Sequence, residues 1–252
     1  EPPIAGLVVS GTAPKLVLVR AVGPALAAFG LTGVLARPVL TVFRDTQAIA
    51  TNTGWSSAPN ALEIAAAAAT AGAFNLAPGG ADSAALLRLA PGAYTARVTA
   101  ADGGSGVALV EAYEVEKDGG RFVNFSTRAF VGTGANIVIP GLVVSGGTAR
   151  TVLIRGIGPG LGDFGVTGVL TRPSLVLMRG ATAIAANDRW ETAADPVLLA
   201  ATAQKVGAFA LKSGNADAAL LATLEPGAYT VLIAGANGGT GNCLVEIYEV
   251  AR

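Results

Sequence analysis

The chain of 252 residues has no histidine, one cysteine and charged side chains at only 13% of its positions. Without His it lacks the commonest general base and the commonest metal ligand. The single thiol, Cys243, excludes an intramolecular disulfide. It sits among strand-forming residues and reads as a small buried hydrophobe. So few cysteines leave the redox compartment open. Lys and Arg number 17, as do Asp and Glu. Nothing in that balance supplies the basic field that nucleic acid requires. Mean hydropathy is high, at +0.56. Even so, no run of about 18 uncharged apolar residues occurs, so no helix is expected to span a bilayer. No secretory signal is recognisable, and an opening of Glu1-Pro2-Pro3 without Met reads as a processed or truncated start. What the chain has in quantity is glycine, 34 residues, with small apolar side chains. That composition suits a β-rich protein that packs closely or associates with itself.

Self-similarity organises the rest. Gly6-Leu7-Val8-Val9-Ser10-Gly11 recurs as Gly141-Leu142-Val143-Val144-Ser145-Gly146, 135 residues later. The same offset aligns Gly23-Pro24 with Gly158-Pro159, Trp55 with Trp190, and Pro91-Gly92-Ala93-Tyr94-Thr95 with Pro226-Gly227-Ala228-Tyr229-Thr230. Ala108 falls opposite Cys243. Residues 1–117 align with 136–252 without a gap, and roughly half the positions are identical. Two copies of one domain follow, at 1–117 and 136–252, each of ordinary domain size. Residues 118–135 lie between them. Gly119-Gly120 reads as a hinge, and Phe122, Val123, Phe125, Phe130 and Val131 make the stretch after it strand-like. Nothing equivalent precedes the first copy, so two cores share one such strand.

Within a copy, short apolar runs alternate with turns. Strands are expected over 4–10, 15–20, 39–44, 47–50, 85–89, 94–99 and 107–115. Tyr94, Ala96 and Val98 share one face of their strand. Pro24 opens a short helix that Gly30 closes. A longer helix begins at Asn60, where Asn60 and Glu63 form a capping box. The second copy places Asp195 as cap and Pro196 in the first turn, and Gly72 and Gly207 suit left-handed stops. The expected fold is all-β: two tandem β-sandwich domains of jelly-roll or immunoglobulin-like type, each with one or two short helices.

Several of these motifs together resemble a known repeat. They are Arg121-Phe122-Val123-Asn124-Phe125-Ser126-Thr127-Arg128 followed by Val131-Gly132-Thr133-Gly134, then Val152-Leu153-Ile154-Arg155-Gly156-Ile157-Gly158-Pro159, Ala216-Asp217-Ala218-Ala219-Leu220 and Pro226-Gly227-Ala228-Tyr229-Thr230. They resemble a unit of about 130 residues. That unit is found, often in tandem, in secreted and surface proteins of environmental bacteria. The Leu89–Thr95 hairpin also resembles β-sandwich modules that accompany secreted peptidases. The resemblance implies an extracellular β-sandwich and carries no catalytic residues. The first copy departs from it by lacking the Asn-Phe-Ser-Thr-Arg segment.

Candidate sites divide between chemistry and architecture. Gly158-Pro159-Gly160-Leu161-Gly162 looks like a phosphate loop, but no Lys-Ser/Thr follows and the first copy has Ala25 and Ala27 at two of its glycines. A tight turn is expected. Asp82 and Asp217, with Asp188, Asn52 and Asn187, are the only calcium candidates, against a turn-capping role for the two paired aspartates. Arg20 with Glu111, and Arg155 with Glu246, are expected as buried pairs that orient strands. Trp55 and Trp190 follow polar loops and either stack on sugars or plug the edge of the fold beside the next helix. No cofactor is implied.

The expected function is that of a non-enzymatic structural subunit of an extracellular filament or surface fibre. Its partner is a second copy of itself, joined head to tail by strand addition. Phe122, Val123, Phe125, Phe130, Val131 and Ile4 are the assembly candidates, and residues 1–5 mark a junction between subunits. The other reading is a carbohydrate- or ligand-binding module of a larger secreted protein.

Overall fold

A computed structural model describes residues 3–116, 118–134 and 136–251. Glu1 and Pro2 of the expected junction, Lys117 and Ala135 at the limits of the expected linker, and Arg252 lie outside the described residues. The fold is all-β with a few short helices. The chain divides into two compact units between Val123 and Asn124.

The first unit contains β1 (Ile4–Ser10), β2 (Lys15–Val22), β3 (Pro38–Arg44), β4 (Gln47–Asn52), α1 (Ala61–Thr70), β5 (Ser83–Leu89), β6 (Gly92–Ala100) and β7 (Leu109–Glu114). One antiparallel sheet runs β1-β6-β3-β4 and another runs β5-β2-β7. Alternation decides the faces, because successive strand residues point to opposite sides. Ala5, Leu7 and Val9 of β1, Leu40 and Val42 of β3, and Tyr94, Ala96 and Val98 of β6 are all buried. So are Val17 and Val19 of β2. Each fully buried Val or Leu contributes about 1.5–3 kcal/mol. The other face of the β5-β2-β7 sheet carries Leu18 and Ala84, which pack on Trp55 and on Ile64 and Ala67 of α1. A run of alanines keeps α1 thin enough to lie there.

The second unit repeats the plan. After β8 (Arg121–Val131) come β9 (Gly141–Val144), β10 (Arg150–Ile157), β11 (Pro173–Arg179), β12 (Thr182–Asn187), α2 (Pro196–Lys205), β13 (Ala218–Leu224), β14 (Gly227–Gly235) and β15 (Gly241–Val250). The sheets run β12-β11-β14-β9 and β13-β10-β15-β8. One apolar cluster joins Leu175 and Leu177, Tyr229, Val231 and Ile233 of the first sheet to Val152, Ile154, Val245, Ile247 and Val131 of the second. A second cluster seats Leu199 and Ala203 of α2 on Leu153 and Ala219.

Two local expectations fail for physical reasons. Asn60 does not cap α1 with its side chain, whereas Asp195 accepts the Leu198 N–H at 2.8 Å. The backbone explains the difference. Asp195 is extended (φ −140°, ψ 89°), while Asn60 already turns towards the helix (φ −105°, ψ 30°), and a capping side chain needs the extended form. Gly119-Gly120 is no hinge. Gly120 is buried and its N–H donates to the Ala13 carbonyl. A Cβ on Gly120 would stand 2.8 Å from the Ser10 carbonyl oxygen, so glycine is there for close approach.

Candidate functional site

The strand Phe122–Val131 settles on its own chain. From Asn124 onward β8 lies antiparallel beside β15, with Phe125 opposite Ile247, Thr127 opposite Val245, Ala129 opposite Cys243 and Val131 opposite Gly241. Val131 enters the core of the second unit, and Phe130 points outward and is exposed. Phe122 and Val123 fall in the first unit, half-buried, with the Phe122 N–H bound to the Glu114 carboxylate. Ile4 pairs with Arg97 in the β1–β6 ladder and faces away from the core. Five of the six assembly candidates thus lie on β8 and the sixth, Ile4, on β1.

What they reveal is a difference between β15 and its equivalent β7. In the second unit β15 has β10 on one side and β8 on the other. In the first unit β7 has β2 on one side, and among the described residues no strand on the other. Burial follows. Cys243, Val245 and Ile247 are 0%, 1% and 8% exposed. Their equivalents Ala108, Val110 and Ala112 are only half-buried.

The backbone of that edge has a defined polarity. The Val115 N–H donates to the Leu16 carbonyl, and Val107 exchanges bonds with Gly33 and Leu35. In an extended strand, N–H and C=O groups alternate sides residue by residue. Residues 109, 111 and 113 therefore face β2, and the N–H and C=O of Ala108, Val110 and Ala112 face the open side. Unpaired strand edges of this kind are templates for another strand. The edge stops at Glu114, whose carboxylate also meets Lys15 at 3.2 Å.

Lys15 was not legible as a structural residue. It is buried, and its ammonium donates to the carbonyls of Glu116 and Asp118, pinning the chain as it leaves β7. Its counterpart Arg150 is exposed and pairs with Glu249 at 3.3 Å. A lysine at the head of an apolar strand reads as outward-facing; Glu114, Glu116 and Asp118, far along the chain, are what engage it.

The other face of β7 carries the expected ionic pair. Arg20 Nε lies 3.0 Å from Glu111 Oε2, and Arg155 Nε lies 3.1 Å from Glu246 Oε2. Each guanidinium also donates to a backbone carbonyl, of Phe74 or Phe209, at 2.7 Å, and sits 4.4 or 4.3 Å from the centroid of that same ring. Tyr113 and Tyr248 donate to Glu111 and Glu246 at 2.6 Å. Burial, and then the adjacent carboxylate, push both phenols well above their usual pKa. These contacts tie strand to loop, while Nη2 of each arginine is buried without a hydrogen-bond partner. The recurrence of Phe74 and Phe209 was the available signal for the cation–ring contact, and it went unread.

The remaining candidates resolve as architecture. Asp82 Oδ1 accepts the N–H groups of Gly23 and Ala25, and Asp217 Oδ1 accepts those of Gly158 and Gly160. These bonds tie down the short helices at Pro24–Phe29 and Pro159–Phe164. A Cβ on Gly158 would meet the Leu170 carbonyl at 1.9 Å, so the glycine of the apparent phosphate loop serves packing. Asp188 pairs with Arg172. Asn52 and Asn187 bond to neighbouring backbone. Among the described residues no three His, Cys, Asp or Glu side chains gather as a metal would need. Trp55 is buried against α1 and donates to the Ala77 carbonyl; Trp190, half-buried, donates to Lys212. Burial raises the Cys243 thiol above its usual pKa. Among the described residues no helix is long and apolar enough to cross a membrane. Compared with models of known protein families and with curated proteins, the chain matches none.

Proposed function

We propose that this chain is a non-enzymatic structural subunit of an extracellular filament or surface fibre, built of two tandem β-sandwiches. Subunits join head to tail by strand addition, and the partner is another copy of the chain. One observation carries the reading: β15 is covered by β8, and the equivalent edge of β7 stands open. A strand laid on β7 would satisfy free backbone groups and cover Ala108, Val110 and Ala112 in one step. The contact is heterologous, since an edge in the first unit meets a different surface of the next copy. Repeated without closure, such a contact grows a filament. Scarce charge and small side chains favour close packing between copies.

The test is direct. Light scattering over a concentration series should show growth beyond the monomer, and electron microscopy should show linear polymers with a repeat of one chain. A monomer at all concentrations with no polymer in the images would sink the reading.

A further inference from the structure

The connection between β14 and β15 carries the one Asn-Gly pair of the chain, Asn237-Gly238. We propose that Asn237 is a site of spontaneous covalent modification, at which the side-chain amide is converted to a carboxylate through a cyclic imide. The attacking group is the backbone nitrogen of the next residue. Every other asparagine is followed by a residue with a Cβ, which crowds that nitrogen. Gly238 has none, and open space surrounds the place a Cβ would take. Asn237 is exposed, and its side chain makes no hydrogen bond among the described residues. Asn124, Asn187 and Asn242 instead donate their amides to the carbonyls of Ile247, Arg189 and Thr167. The backbone of Asn237 is left-handed (φ 56°, ψ 29°), a basin that L-residues disfavour. Ring closure needs rotation about its Cα–C bond, and leaving this basin meets less resistance than leaving a strand or helix.

The step balances with water alone. The Gly238 nitrogen gives up its proton to solvent and bonds to Cγ of Asn237, and the side-chain nitrogen leaves as ammonia. Water then opens the five-membered ring at one of its two carbonyls. Opening one way restores the main chain and leaves aspartate. Opening the other way leaves isoaspartate, with one extra carbon in the main chain. One water is consumed and one ammonia released, and nothing is oxidised or reduced. Either product takes the chain's formal charge from 0 to −1. The first copy already has that charge at the equivalent position. There Asp102 Oδ1 accepts the Gly104 N–H at 3.0 Å. The two products differ in what the turn tolerates. A Cβ on Gly235 would stand 1.9 Å from the Gly239 carbonyl oxygen, so the turn has no slack for another main-chain atom. Just beyond it Gly241 stands opposite Val131 in the β15–β8 ladder. Isoaspartate therefore disturbs that end of β8, and aspartate does not.

The full chain, incubated folded at mildly alkaline pH and sampled over time, tests this. Peptide mass spectrometry should find the amide-to-carboxyl mass change first at Asn237, as a mixture of aspartate and isoaspartate, with a rate that rises with pH. Gly238→Ala should slow the conversion several-fold. Asp102→Asn places the same pair in the first copy, where the side-chain oxygen is held by Gly104, and should convert more slowly than Asn237. Hydrogen exchange over residues 129–131 should quicken in the isoaspartate fraction and match the parent in an Asn237→Asp chain. Conversion that appears first at another asparagine, aspartate without isoaspartate, or a rate untouched by Gly238→Ala would overturn the proposal. Equal rates at Asn237 and in Asp102→Asn would overturn the part assigned to the fold. Unchanged exchange over 129–131 in the isoaspartate fraction would overturn the effect on β8.

Discussion

β7 and β15 carry almost the same residues, and each lies beside a strand of the same kind, β2 or β10, with an Arg–Glu pair between them. Yet one is buried on its inward face and the other only half so. Burial is a property of the neighbours a strand acquires, and a single added strand accounts for the difference here. The two units are an internal control for each other. Each holds one tryptophan, Trp55 or Trp190, so chains carrying Trp190→Phe or Trp55→Phe report the two units one at a time.

The largest effect is expected at the ionic pairs. Replacing Arg155 by Met strands a carboxylate 7% exposed, where Arg20→Met strands one that is 13% exposed. Removing one partner of such a buried pair costs about 3–5 kcal/mol. The Trp190 denaturation midpoint in Arg155→Met should fall further than the Trp55 midpoint in Arg20→Met. Equal falls would mean that β8 adds nothing to the burial of Glu246.

Proline scanning sharpens the same contrast. Val245→Pro takes an N–H from the β8 side of β15, removes a ladder bond in a central strand and should lower the Trp190 midpoint in urea clearly. Val110→Pro takes an N–H that has no strand to bond, so the Trp55 midpoint should move much less. A Val110→Pro loss as large as that of Val245→Pro would show that the β7 edge is paired after all.

Smaller and equal losses are expected where the units do not differ. Asp82→Ala and Asp217→Ala each orphan two backbone amides, at a cost of about 1–3 kcal/mol. Both midpoints should drop by similar amounts, and added calcium should shift neither parent midpoint.

The smallest effect is a difference in acid response. The Gly79 N–H bonds to Ser56, and the equivalent Gly214 N–H bonds to Glu191. The Ser213 hydroxyl, and then the Gly214 N–H, hold the Glu191 carboxyl below its usual pKa. A carboxyl depressed in the folded state stabilises fully above its unfolded pKa, about 4.3, and loses that contribution as pH falls through the lower folded value. Glu191→Ser, which copies the first unit, should flatten the acid limb of the Trp190 midpoint slightly. It should leave the Trp55 limb unchanged, including the share from Glu116, which Arg88 holds low in the first unit. No change in the Trp190 limb would show that this carboxyl is equally free in the unfolded chain.

Much of each unit was legible in the residues. The Tyr94-Ala96-Val98 face, the turn at Gly92, the cap at Asp195 and both Arg–Glu pairs all depend on spacing along one or two strands, and spacing is printed in the chain. The failures are places where a distant segment decides. Asn60 has the right side chain for a cap, but the preceding turn sets its backbone. Gly119-Gly120 has the composition of a hinge and is held by the 9–14 loop. Lys15 has the charge of a surface residue and is covered by the segment leaving β7.

The candidate site divides in the same way. That β7 and β15 are copies of one strand was readable from the 135-residue offset alone, because aligning copies needs no coordinates. Which of them β8 lies beside was not. β7 and β15 offer nearly the same ladder to the same partner, so local preference cannot choose between them. The choice falls to chain connectivity and packing. β8 enters the unit whose sheet it precedes and buries Val131 in that core.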